Sequence, residues 1–148
     1  MRAGRRFLSF IAVFGVCLPA FADEATPGAQ ARSKAPAGVE LYFISPTDGM
    51  AVDKHVTVTF GLKRMGVAPA GVMTAGTGHH HLLIDVDAPS ADLPIPADAK
   101  QVHFGGGQTE TTVTLTPGTH TLQLNLGDAL HRQFDPPVLS KKITITVR

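Results

Sequence analysis

The chain has 148 residues, 43% of them hydrophobic, and a formal net charge of +1. This length suits one domain, and the near-neutral charge, without a basic stripe, argues against nucleic acid or an anionic membrane as the partner. The single cysteine excludes a disulfide framework.

The first 22 residues have the three parts of a secretory signal peptide. Three arginines within the first six residues precede an apolar stretch over residues 7–18, and Ala20-Phe21-Ala22 is a small-x-small cleavage site. We therefore predict a signal peptide over residues 1–22 and a periplasmic mature protein. The apolar stretch is too short to span a bilayer comfortably and no later stretch is long enough, so we expect no membrane insertion of the mature chain.

Cleavage after Ala22 changes both the charge and the chemistry of the protein. It leaves 10 basic against 12 acidic residues, a net charge of −2 with neutral histidines, and it removes Cys17. A mature chain without a thiol can have neither a thiolate metal site nor a cysteine nucleophile. All seven histidines remain.

Residues 23–38 read DEATPGAQARSKAPAG. They are rich in alanine, proline and glycine and have no apolar period, which is typical of a flexible linker. We place the folded domain at residues 39–148.

Apolar residues of the domain recur with a period of two. Val56, Val58, Phe60 and Leu62 are separated by single residues, as are Leu122, Leu124 and Leu126 and, near the end, Ile143, Ile145 and Val147.

Such alternation indicates antiparallel strands with one buried face, and no segment has a helical period. Further strands are expected over residues 41–44, 80–86, 101–104 and 113–115. We expect Thr116-Pro117-Gly118 to turn a hairpin. The fold class predicted is all-β, an immunoglobulin-like antiparallel β-sandwich of about seven strands, with no Cys and Trp core.

A run of three histidines, His79-His80-His81, opens one of these strands. Alternate side chains of a strand share a face, so His80 should align with the core residue Leu82, and His79 and His81 should lie together on the opposite face. Two imidazoles in this arrangement can chelate one ion.

Two further histidines are candidates to complete a metal site. We expect His103 to point outward between Val102 and Phe104, and His131 follows a strand end. A site of neutral imidazoles suits copper or zinc, and Cu(II) exceeds Zn(II) in intrinsic affinity. The metal ligands predicted are therefore His79, His81 and His103, with His131 as the candidate fourth.

The remaining histidines have plainer explanations. A histidine at a strand end is more often a structural hydrogen-bonding group than a ligand, and we interpret His80 and His120 in this way and His55 as solvated. Met65 and Met73 could offer thioethers to Cu(I), but their simplest interpretation is loop or core filler.

The glycine run Gly105-Gly106-Gly107 precedes a strand rather than a helix and lacks the Lys-Ser/Thr ending of a phosphate-binding loop. We interpret it as a tight backbone passage.

Four blocks of the sequence, GTGHHHLLIDVD, ADAKQVHFGGGQTETTVTL, PGTHTLQLNLGD and DPPVLSKKITITV, resemble the bacterial exported domain-of-unknown-function family 4399. The resemblance runs from about Leu41 to Val147. It implies a small secreted β-domain with no assigned activity. Members often have more histidines after the LGD block than the single His131 of this chain.

Three hypotheses follow. The first is a periplasmic, non-catalytic protein whose partner is a copper or zinc ion. The second is a structural or interaction module of the cell envelope, bound to an envelope protein, in which the histidines form a structural cluster. The third and least favoured is a hydrolase with a metal-bound water; no nucleophile elbow or carboxylate pair in the sequence indicates an enzyme. Convergence of the four histidines in space favours the first, since ligand nitrogens must lie about 2 Å from one ion.

Overall fold

A computed structural model describes residues 31–148. The predicted signal peptide, residues 1–22, and the first part of the predicted linker lie outside the described residues. Within residues 31–148 the chain forms nine strands and no helix, so the protein is all-β there, as predicted. This part of the chain accordingly contains no helix that could cross a membrane.

The strands in chain order are β1 Glu40–Ser45, β2 Ala51–Val52, β3 His55–Lys63, β4 Gly66–Val67, β5 Thr77–Ile84, β6 Gln101–His103, β7 Glu110–Thr114, β8 Gly118–Gly127 and β9 Ile143–Val147. The seven strands of three or more residues correspond to the seven expected from the sequence. The two-residue strands β2 and β4 were not predicted, because two residues are too few to display a period.

The strands form a three-stranded sheet and a six-stranded sheet. The smaller sheet has the order β1-β3-β7 and is antiparallel throughout. The larger has the order β2-β9-β8-β5-β4, and β6 also pairs with β5. Its long strands are antiparallel, whereas the short strands β2 and β4 run parallel to β9 and β5. The larger sheet is therefore mixed.

The turn at residues 116–118 does not form the expected hairpin. Strand β7 pairs with β3 in the smaller sheet, whereas β8 pairs with β5 and β9 in the larger one. The chain thus changes sheets at Pro117. Turn residues bend the chain in the same way whether the next strand pairs with the last one or crosses to another sheet, so the sequence could not separate the two cases.

The period-two residues of both sheets meet in one core. Val58 and Phe60 of the smaller sheet belong to the same buried apolar cluster as Leu82, Leu124 and Ile145 of the larger one. The inward faces of these strands were therefore predicted correctly.

The alternation predicted that the opposite face of β5 and β8 is exposed to solvent, but this face is buried. Leu83 and Asn125, which should be outward residues, are both fully buried. Segments outside the strands meet beside this face: the amide of Ile95 donates to the carbonyl of His131 at 2.7 Å, and Gln133 donates to the carbonyl of Pro89 at 2.8 Å. Residues on both faces of these central strands are therefore buried.

The described end of the predicted linker contacts the strands' loops. Lys34 bridges Asp135, and the amide of Ala35 donates to the carbonyl of Asp135 at 3.0 Å. Ser33 donates a hydrogen bond to the Asp128 carboxylate at 3.0 Å. Residues 33–35 therefore help to order the loop that follows β8.

Candidate metal centre

The three adjacent histidines of β5 point in alternating directions. His80 packs against Phe60 of the opposite sheet, with ring centroids 5.0 Å apart, on the core side of the strand. His79 and His81 lie on the other face, with their Nε2 atoms 3.1 Å apart. The strand period thus places the pair together, as the sequence predicts.

Strand β6 brings a third imidazole to this pair. His103 lies directly across from His81 in the β5–β6 register, and its ring centroid is 5.0 Å from those of both His79 and His81. The ring lies over Gly105, where a Cβ atom would come within 2.7 Å of the His103 Nε2. Only glycine leaves this space, which gives the first residue of the glycine run its physical reason.

The loop after β8 presents the fourth imidazole, that of His131. Asp128 is 2% exposed, and its Oδ1 accepts hydrogen bonds from the amides of Leu130 and Arg132. His131 has a φ of 59°, a left-handed conformation uncommon outside glycine. The Asp128 bonds and the bond from Ile95 hold this backbone in place.

The four rings converge. One nitrogen from each of His79, His81 and His103 lies within 4.8 Å of the other two. His131 joins from the side of His103, with 3.0 Å between their Nε2 atoms, and its ring centroid is 4.9 Å from that of His79 but 6.1 Å from that of His81. Residues from three separate segments therefore meet at one place, with His131 slightly offset.

Burial decides the charge state of the cluster. Burial first, and then the neighbouring imidazoles, lower the pKa of His79 to about 4 and that of His81 to about 3. Burial and the adjacent His131 also lower the pKa of His103. His79 and His81 are therefore neutral at pH 7, each with one unprotonated ring nitrogen. His103 and His131 are partly exposed, so the cluster opens to solvent on their side.

Few hydrogen bonds hold the histidine rings through their second nitrogen atoms. The Nδ1 atoms of His79 and His81 have no hydrogen-bond partner among the described residues. Metal-binding histidines usually donate their second N–H to a carboxylate or a carbonyl. In this protein close packing holds the two rings of β5 instead.

The other candidate residues have separate surroundings. His120 has local partners, with Nδ1 2.7 Å from the Asp85 carboxylate and Nε2 2.9 Å from the Thr116 carbonyl, in keeping with a structural role. Its bond to Asp85 raises its pKa. His55 is exposed at the start of β3. Met65 packs against the core, whereas Met73 is 69% exposed.

Sequence reasoning missed three residues of the site. Gly127 lies opposite His79 in the β5–β8 register, and a Cβ there would lie 3.0 Å from the Nε2 of His81 and 3.2 Å from that of His79. Asn125 is directly opposite His81. Asp128 organises the loop of His131. The sequence signals only a strand and its end at these positions, because their relation to the histidines depends on which strand lies next to β8.

The comparison with protein families places the chain. The family model described as "Domain of unknown function (DUF4399)" matches residues 58–148, more than half of the 148 residues. The chain belongs to this family. The matched region contains the whole histidine cluster of the DUF4399 domain. No curated protein and no solved structure matches the chain.

Proposed function

We propose that this DUF4399 protein binds one copper or zinc ion in the periplasm, without catalytic turnover. His79, His81 and His103 are the ligands, and His131 is the fourth. The observation that carries the proposal is the convergence of four imidazoles from three segments, two of them fully buried and neutral.

The spacing of the nitrogens supports this assignment. Nitrogen ligands of a tetrahedral zinc ion lie about 2.0–2.1 Å from the metal, which puts them about 3.3 Å from one another. The Nε2 pairs of His79 with His81 and of His103 with His131 are 3.1 and 3.0 Å apart. A small rearrangement of the partly exposed pair would bring all four to one ion.

The donor set favours ions of intermediate softness. All four ligands are neutral imidazoles, and Cys17, the one thiol of the sequence, falls within the predicted signal peptide. Imidazole sites suit copper and zinc. The periplasmic location rests on the signal-peptide pattern of residues 1–22.

A structural role is the second candidate, and one observation favours it. Nitrogens 3.0–3.1 Å apart are also at hydrogen-bond distance, so each pair of imidazoles could share one N–H without an ion. On this account the histidines tie β5, β6 and the loop after β8 together in an interaction module of the cell envelope.

We also propose an arrangement for the two sheets: they pack face to face as an immunoglobulin-like sandwich. The shared core of Val58 and Phe60 with Leu124 and Ile145 supports this arrangement.

Metal titration of the untagged protein at pH 7.5 tests the proposal. We expect one Cu(II) or Zn(II) per chain in the wild type. His81→Ala and His103→Ala should each lose stoichiometric binding, because each removes a ligand. His103 is partly exposed at the end of a three-residue strand, so its replacement should leave the fold intact.

His120→Ala is the matched control. It removes a histidine bonded to Asp85 and Thr116, and should lower stability but retain one ion per chain. Absence of stoichiometric binding by the wild type would overturn the metal proposal in favour of the structural one.

Gly127→Ala tests the site without removing a ligand. The added methyl group would press on the Nε2 atoms of His79 and His81 at 3.2 and 3.0 Å, closer than atoms of this size pack comfortably. We expect metal affinity to fall about tenfold or more, equivalent to about 1.4 kcal/mol. Competition with a chelator of known affinity measures the change; wild-type affinity would contradict the assigned geometry.

A further inference from the structure

Asn125 is a buried amide without a partner among residues 31–148. The residue is fully buried, and neither its Nδ2 nor its Oδ1 forms a hydrogen bond with any described residue. Buried polar groups are nearly always hydrogen-bonded, since an unpaired one carries the whole cost of its desolvation. The amide therefore calls for a partner beyond the described residues, such as a bound molecule.

The sheet register puts this amide beside the histidine cluster. Asn125 lies directly across from His81, and Gly127, two residues further along β8, lies across from His79. Residues two apart on a strand share a face, and the face of Gly127 is the one whose Cβ position lies within 3.2 Å of both Nε2 atoms. Asn125 thus shares the face that carries His79 and His81, and the glycine keeps that stretch of the strand free of side-chain atoms.

The charge of a bound ion supplies the second part of the argument. Neutral imidazoles leave a divalent ion with its full charge of +2 in a mostly buried place, which is costly unless an anion accompanies it. The nearest buried carboxylate, Asp128, already accepts hydrogen bonds from the amides of Leu130 and Arg132 and from the side chains of Ser33 and Arg132. A carboxylate held in this way does not turn to meet the ion.

We propose that the ion bound at this site takes a small monovalent anion as an additional ligand, and that the Asn125 amide donates a hydrogen bond to it from Nδ2. The inference rests on the proposed metal site. Partial exposure of His103 and His131 gives a small anion a route to the ion. Asn125 is then a positioning residue for the anion and not a metal ligand.

Azide binding to the copper-loaded protein tests the inference. Copper stoichiometry is measured first, and azide is then titrated while its charge-transfer absorption with Cu(II) is followed. The wild type should bind azide saturably. Asn125→Leu should retain one copper and weaken azide binding about tenfold, the effect expected for one hydrogen bond to a charged group.

Two variants make the result interpretable. Gln123→Leu changes an amide on the same strand that is bonded to the Ser140 carbonyl, and should bind copper and azide like the wild type. Asn125→Asp covers the case in which the leucine variant does not fold; its carboxylate should retain copper and exclude azide by charge.

Four outcomes would overturn the inference. A copper-loaded wild type without saturable azide binding would refute the anion site alone and leave the metal site standing. Unchanged azide affinity in Asn125→Leu would show that the amide does not bind the anion. Loss of copper from this variant, while it remains folded, would indicate that the amide positions His81 instead. A wild type that binds neither copper nor zinc would refute both proposals.

Discussion

Replacement of Leu124 by alanine should lower the free energy of unfolding by about 2–5 kcal/mol, the range for large-to-small changes at well-packed sites. Leu124 is fully buried in the middle of β8, opposite Leu82 of β5. Its amide and carbonyl are both bonded to Ser140, so the backbone has little freedom to collapse into the cavity. Urea or guanidinium midpoints measure the loss.

Thr114→Ala is the control for this change. Thr114 is exposed on β7, and its hydroxyl lies 3.1 Å from the Nδ1 of the exposed His55. Its replacement should cost well under about 1 kcal/mol. Equal effects at the two positions would mean that the inside and outside of the strands are assigned wrongly.

The metal-free protein should lose stability steeply as the pH falls from about 6.5 to about 4. Burial lowers the pKa of His79 and of His80 to about 4 and that of His81 to about 3. In the unfolded chain these groups take up protons near pH 6.5, whereas in the folded protein they resist until the pH is far lower. The unfolded state therefore binds more protons in this window, and unfolding becomes easier as the pH drops.

Other groups titrate in different directions or windows. Asp85 raises the pKa of His120, so the contribution of this histidine to stability is complete below about pH 6.5 and is lost only as the pH rises above that value. The pKa of the Asp128 carboxyl is lowered from 3.8, so its contribution is lost only at still lower pH. The sum for the three buried histidines is on the order of several kcal/mol, since one pKa unit corresponds to about 1.4 kcal/mol.

Denaturant midpoints between pH 8 and pH 4, with a chelator present, measure this dependence. His80→Leu is the informative variant, because His80 packs against Phe60 on the core side of β5 and is not one of the proposed ligands. Leucine should flatten the profile by the share of one histidine and keep the metal site. A profile that superimposes on that of the wild type would show that His80 does not resist protonation in the folded protein.

The strand period accounts for what could be predicted of the site. It separates His80 from His79 and His81 and turns His103 away from Val102 and Phe104, and the structure has both features. A period of two states which residues share a face, so any pair on one strand can be assigned from the sequence alone.

The sequence could not show which strands are neighbours. Gly127 and Asn125 belong to the site because β8 lies next to β5. Asn125 is 44 positions after its partner His81, and only the sheet register shows that the two residues are neighbours. The hairpin at residues 116–118 was wrongly predicted for the same reason, because the sequence does not show that β7 and β8 belong to different sheets. The period-two pattern also predicted that Asn125 faces solvent. The segments that bury this face of β5 and β8 have no hydrophobic period, so the sequence does not reveal them.

The pairing of β2 with β9 joins Ala51 to Thr146, strands from near the two ends of the described chain. Chains dominated by pairings of such long sequence separation fold slowly, since the loop must close before the contacts reward it. The six-stranded sheet is complete only when β9 has joined both β8 and β2. The histidine cluster likewise depends on contacts between distant parts of the chain, because His103 and His131 lie 22 and 50 residues after His81.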